Sequence, residues 1–110
     1  PWYLNAVISA TISMPPDVAL AAIHAVEADF GRVRSVRNAA RVLDIDLLDC
    51  GGMVLQSDKI TLPHPRMHQR AFVLLPLRDL APDWVHPVLQ KEVGHLIAAL
   101  PANQDIRRAK

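Results

Sequence analysis

One cysteine, four glycines and no long apolar run set the first limits on this chain of 110 residues. A lone Cys50 can form no disulfide within the chain, so the sequence does not read as a disulfide-stapled secreted domain, and a cytoplasmic location is expected. No stretch approaches the ~20 apolar residues that span a bilayer. The opening Pro1-Trp2-Tyr3-Leu4-Asn5 has neither the basic region nor the apolar core of a signal peptide. An excess of one charge is also lacking: 12 Lys and Arg stand against 11 Asp and Glu, a formal net charge of +1. That balance gives no general reason to expect nucleic acid or membrane as partners. The sequence has no G-x-x-x-x-G-K-[ST] phosphate loop, no G-x-G-x-x-G and no nucleophile elbow. Any nucleotide site must therefore be built by other means.

What is present is a soluble-type mixture, 51% hydrophobic and 21% charged, enough for one modest core and one domain over residues 1–110. Tyr3 to Ser13 alternates, with Leu4, Ala6, Ile8, Ala10 and Ile12 on one side, and predicts a strand with one apolar face. Pro15-Pro16-Asp17 breaks it and starts a helix in which Ala19, Ile23, Val26 and Phe30 recur at helical spacing before Gly31. Val42 to Leu48 predicts a second strand, and Val54-Leu55 with Ile60-Thr61-Leu62 a hairpin after a Gly51-Gly52 turn. His68 to Leu80 reads as partly helical, interrupted at Pro76, and Gln90 to Leu100 as a closing helix. The polar tail from Ala102 to Lys110 is expected to fray. Without regular βαβ alternation this order predicts an α+β fold, with a helix on one face of a mainly antiparallel sheet.

Chemistry concentrates in three places. In Arg41-Val42-Leu43-Asp44-Ile45-Asp46, residues two apart share a strand face, so Asp44 and Asp46 place two carboxylates side by side. Paired hard oxygen ligands suit Mg²⁺, which fills its other positions with water and phosphate oxygens. A solvated acidic strand face carries the same short pattern, so the motif alone decides little. Just before it, Arg32, Arg34, Arg37 and Arg41 give four arginines within ten residues and no acid, and guanidinium matches phosphate oxygens well. Metal-binding carboxylates beside phosphate-binding arginines are the parts phosphoryl transfer needs. A basic loop that merely balances the acids, or one that binds RNA, remains an alternative at this point. The third cluster, Thr61 to Phe72, places imidazole, guanidinium and hydroxyl groups on a loop stiffened by Pro63 and Pro65. His64 and His68 lack a third zinc ligand and have Pro65 between them, which argues against zinc. Tyr3, Asn5 and Phe72 could sandwich a flat heterocycle, although Phe72 also suits a core.

Taken together, Tyr3-Leu4-Asn5, Gly31-Arg32-Val33-Arg34, Arg41-x-Leu43-Asp44-x-Asp46-Leu47-Leu48, Leu62-Pro63-His64-Pro65-Arg66-Met67 and Arg70-Ala71-Phe72-Val73-Leu74-x-Pro76-Leu77 resemble, in order and spacing, the 6-hydroxymethyl-7,8-dihydropterin pyrophosphokinases. The resemblance runs from residue 1 to about Pro87 and more loosely through the last helix. It implies a ferredoxin-like α+β fold and transfer of pyrophosphate from ATP to the pterin hydroxymethyl group, leaving AMP, in folate biosynthesis. It also implies two Mg²⁺ ions held by Asp44 and Asp46, with Arg32, Arg41, Asp44 and Asp46 as the catalytic set. Arg32, Arg34, Leu47, Lys59, Thr61, His64 and Arg70 would line the ATP site, and Tyr3, Asn5, Asp44 and Phe72 the pterin pocket. The implied partners are those two substrates, with no nucleic acid, no membrane and a monomeric state. Lys59 stands where the family commonly has arginine, and Asn38-Ala39-Ala40 where many members have tryptophan-glycine-proline. The family's opening strand, helix and strand have no counterpart, so the chain corresponds to the C-terminal two-thirds and further sequence is expected upstream. A catalytically incomplete fragment and a ferredoxin-like RNA-binding module are the competing readings. The second would be indifferent to loss of Asp44 and Asp46.

Overall fold

The first element follows from its proline. Pro16 supplies a preset φ and no N–H at the first helical position, where that donor would be unpaired anyway, and Asp17 adds negative charge to the first turn. The Ala19 amide closes the turn on the Pro15 carbonyl at 3.0 Å, and helix α1 runs Pro16–Arg32 in a computed structural model that describes residues 4–32, 43–104 and 106. The helix passes through Gly31 rather than stopping there. Its inward stripe is Ala19, Ile23 and Glu27, at four-residue spacing, whereas the expected face members Val26 and Phe30 are exposed.

After α1 come a short hairpin and two helices. Strand β1, Leu55–Gln56, pairs antiparallel with β2, Thr61–Leu62, in the register Leu55 to Leu62 and Gln56 to Thr61. Gly51 and Gly52 make the preceding turn at φ 59° and 77°, values that favour glycine. A cis Leu62–Pro63 peptide leads into a 3₁₀ turn over Met67–Gln69. Helix α2, Ala71–Leu80, then runs unbroken through Pro76, because a single missing N–H bond is outweighed by burial of Val73, Leu74 and Leu77. Helix α3 spans only Val93–Ala98. The expected start at Gln90 fails because Gln90 adopts φ 54° and Glu92 is held in a bridge with Val85.

The core is Met67, Val73, Leu74, Leu77, Val93 and Leu96, with Val7, Leu48, Trp84, Ile97 and Leu100 packed around it. It sits between α2, α3 and the 3₁₀ turn. The fold is α+β, as expected, but the sheet among the described residues has two strands only. Leu4 to Ser13 and Leu43 to Leu48, both expected to be strands, form no ladder. A strand is defined by its partner's hydrogen bonds as well as its own alternation, and neither segment forms a ladder with any described residue. The apolar side of the first is correspondingly open: Leu4 is 85% and Ile8 84% exposed. Among the described residues no helix is long and apolar enough to cross a membrane.

Candidate active site

Although Leu43 to Leu47 is not a strand, it keeps a strand's alternation of exposure. Leu43, Ile45 and Leu47 are half-buried, while Asp44 and Asp46 are exposed. Two long-range hydrogen bonds fix this segment in place of a ladder. The Ile45 amide donates to Glu27 Oε2 on α1 at 2.8 Å, and the Leu48 carbonyl accepts from the His64 amide at 2.8 Å. The acidic pair therefore points outward from a segment tied to α1 on one side and to the proline loop on the other.

Around Asp46 the third sequence cluster converges. His64 Nε2 lies 3.9 Å and Arg70 Nη1 3.7 Å from Asp46 Oδ2, distances of charge pairing rather than close hydrogen bonding. Both side chains of the Asp46–Arg70 pair are accessible, the carboxylate 47% exposed. His64 Nδ1 accepts from the Arg66 amide at 3.1 Å, which leaves the N–H of a neutral imidazole on Nε2, the nitrogen facing Asp46. Burial holds this imidazole below its ordinary value of 6.5; Asp46 opposes the shift, while Arg70 and Arg66 add to it. The Arg70 guanidinium carbon also stands 5.5 Å from the centre of the Phe72 ring, a cation–π contact. Phe72 itself is exposed at the start of α2 rather than buried in the core.

Asp46, His64, Arg70 and Phe72 are thus brought together, with Asp44 two residues along the same side. Thr61 lies half-buried in β2, Lys59 is exposed in the hairpin turn, and Leu47 is half-buried beside Asp46. Asn5 is exposed, and no described hydrogen bond or ion pair joins Asn5, Lys59 or Thr61 to the cluster. Tyr3, Arg34 and Arg41 lie outside the described residues, as does the side chain of Arg32, whose backbone closes α1. Arg37 and the Asn38-Ala39-Ala40 segment lie outside them too.

The donor set suits a hard cation. Two exposed carboxylates two residues apart are what Mg²⁺ usually takes from a protein, the remaining positions falling to water and phosphate. Among the described residues no group of three His, Cys, Asp or Glu side chains is arranged to hold a metal ion.

Residues with no motif to announce them support the cluster. The Trp84 indole N–H donates to Asp49 Oδ2 at 3.1 Å, fixing the end of the acidic segment to the chain after α2. His86 is buried, packs edge-on against His68 and Trp84, and accepts from the Val88 and Leu89 amides at 3.2 and 3.0 Å through Nδ1. Burial and the neighbouring His68 lower its pKa, with Asp49 opposing. Gln104, inside the segment expected to fray, accepts from the Ala71 amide at 2.7 Å and donates to the Gln69 carbonyl at 2.8 Å. These partners are 35 (Asp49 to Trp84) and 33 (Ala71 to Gln104) residues apart, beyond the reach of any local pattern.

Residues 1–82 match the family described as 7,8-dihydro-6-hydroxymethylpterin-pyrophosphokinase. The chain is 40% identical over 97 residues to the 2-amino-4-hydroxy-6-hydroxymethyldihydropteridine pyrophosphokinase of Synechocystis sp., covering 88% of this chain and 50% of that protein. It is 40% identical over 101 residues to the protein of the same name from Pseudomonas aeruginosa, covering 92% and 62%. To the folic acid synthesis protein FOL1 of Dictyostelium discoideum it is 36% identical over 104 residues, 94% of this chain and 16% of that much longer one. The chain therefore spans about half the length of the first of these relatives.

Proposed function

Because the chain belongs to the 7,8-dihydro-6-hydroxymethylpterin-pyrophosphokinase family, we propose that its outward acidic pair and the basic groups around it serve pyrophosphate transfer from ATP to 6-hydroxymethyl-7,8-dihydropterin. In that reaction the pterin hydroxymethyl oxygen bonds to the β-phosphorus of ATP, the bridge between α and β phosphates breaks, AMP leaves and the hydroxyl proton is lost. Residues 1–110 belong to one pyrophosphokinase domain of ferredoxin-like architecture, in the cytoplasm and as a monomer.

Asp44 and Asp46 would hold two Mg²⁺ ions, whose charge would offset that of the triphosphate. Arg70 and His64, both facing Asp46, present donors to phosphate oxygens next to that metal site. Lys59, Thr61 and Leu47 complete the ATP side, and Arg32, Arg34 and Arg41 bring further positive charge to it. Arg32 and Arg41 share the catalytic role with the two aspartates. Phe72 offers its ring to the flat pterin, with Asn5, Tyr3 and Asp44 at the pterin edge. Arg70 over the Phe72 ring keeps the two subsites adjacent. Catalysis in this scheme is positioning and charge neutralisation, with no covalent intermediate on the protein.

The observation that carries the reading is the convergence of His64 and Arg70 on Asp46, an arrangement that gathers metal-type and phosphate-type groups at one place. An RNA-binding surface has no use for a carboxylate there. The test is AMP release from ATP and the pterin with Mg²⁺, comparing the chain with Asp46→Ala. AMP that requires pterin and falls by at least about 10²-fold in the variant supports the reading. Equal AMP formation by both refutes the role of Asp46, and no AMP from the folded chain refutes its activity as a unit.

A further inference from the structure

Helix α2 begins in an unusual way. Its N-cap is Arg70, at φ −118° and ψ 113°, and it makes no side-chain cap hydrogen bond. It cannot make one: capping needs an acceptor, and guanidinium carries only donors. The acceptor comes instead from Gln104. Its Oε1 takes the Ala71 amide at 2.7 Å, and its Nε2 donates to the Gln69 carbonyl at 2.8 Å. One amide side chain thereby grips the backbone on both sides of Arg70. Meanwhile the Arg70 side chain is directed to Asp46 and over Phe72.

We propose that Gln104 is a positioning residue for the phosphate-binding arginine: by capping α2 in place of Arg70 and clamping the Gln69–Ala71 backbone, it sets the direction of the Arg70 guanidinium. This rests on the reading of Arg70 as an ATP contact, and Gln104 lies beyond residues 1–82, the part that matches the family. A residue that only stabilises the fold lowers the amount of folded protein without altering the affinity of the folded fraction. A residue acting through Arg70 alters ATP affinity, and only while Arg70 is present.

The test is a double-mutant cycle in the full chain, using Gln104→Met, which keeps length and removes both hydrogen bonds, with Arg70→Ala. Mg-ATP affinity is measured by calorimetry, and the amide exchange of Ala71 and the Arg70 Nε–H resonance by NMR without nucleotide. Loss of the clamp weakens Mg-ATP by roughly three- to tenfold, the scale of one net hydrogen bond, with no effect in the Arg70→Ala background. Ala71 exchange accelerates and the Arg70 side-chain resonance moves. Equal weakening in both backgrounds, or an unmoved Arg70 resonance, overturns the proposal. The NMR readout stands apart from catalysis, so absence of AMP from the unmutated chain would count against the proposed reaction while leaving the clamp to be judged on the Arg70 signal.

Discussion

Removing the indole donor from Asp49 should cost at least as much as removing both partners together. Its Oδ2 accepts from the Trp84 indole at 3.1 Å, while its Oδ1 is buried and has no described hydrogen-bond partner. Trp84→Phe keeps an aromatic ring against His86 but takes away that donor. Hydrogen bonds to charged groups contribute about 1.5–3 kcal/mol net, and a buried acceptor left short pays its desolvation in full. Shrinking indole to phenyl forfeits some tens of Å² of contact, roughly 1 kcal/mol. Because the pair is only part-buried, a loss of about 2–3 kcal/mol is expected in urea unfolding followed by circular dichroism, with an unchanged m-value. Adding Asp49→Ala to Trp84→Phe removes the unsatisfied carboxylate altogether, so the double variant should be no less stable than Trp84→Phe alone. Strictly additive losses in this cycle, or a Trp84→Phe loss under about 0.5 kcal/mol, would refute the reasoning.

Two further outcomes follow from the core and from His86. Leu74 is fully buried at the centre of the apolar cluster, so Leu74→Ala should cost about 2–5 kcal/mol in the same unfolding assay. His86, faced by His68 and Asp49, has a folded-state pKa below its ordinary 6.5, so the unfolded chain binds its proton first as pH falls. Stability is therefore fully present above about 6.5 and declines below it until the folded-state pKa is passed. His64 is shifted in the same direction. Unfolding midpoints measured from pH 7.5 to 5 should fall, and His86→Ala, though less stable throughout, should show a shallower fall.

How far the sequence reveals this molecule depends on the range of the interactions involved. Hairpin, glycine turn and helix α1 were legible because proline, glycine and alternating apolar residues act within a few positions. The acidic segment was legible in a subtler sense. Its alternation correctly placed Asp44 and Asp46 outward, yet no ladder accompanies it, because pairing requires another strand and alternation does not supply one. Pro76 misled because a local rule about helix interruption took no account of the burial of Val73, Leu74 and Leu77. Gln90 misled for the opposite reason, since helical periodicity can register neither the positive φ at Gln90 nor the Val85–Glu92 bridge. In the candidate site, residue types and spacing mark Asp46 and Phe72, whereas the places of His64 and Arg70 on the ATP side are implied by the family resemblance. Glu27, Asp49, Trp84 and Gln104 were not singled out as site-supporting residues, for their partners lie far along the chain.

Those four residues share a physical logic. The segment bearing Asp44 and Asp46 has no regular element of its own, and Arg70 stands at a helix end, where backbone amides need outside acceptors. Long-range hydrogen bonds meet both weak points. At the first the Ile45 amide donates to Glu27, the Trp84 indole to Asp49 and the His64 amide to the Leu48 carbonyl. At the second Gln104 accepts from the Ala71 amide and donates to the Gln69 carbonyl. A single hydrogen bond contributes about 1 kcal/mol net between neutral groups and about 1.5–3 kcal/mol to a charged one, against the far larger sum from burial in the Met67–Leu96 cluster. Loss of one such tie leaves the core standing while freeing one part of the site to turn. The geometry around Asp46 is accordingly more fragile than the fold, and substitution of Gln104 should disturb that geometry at a smaller cost in stability than substitution in the core.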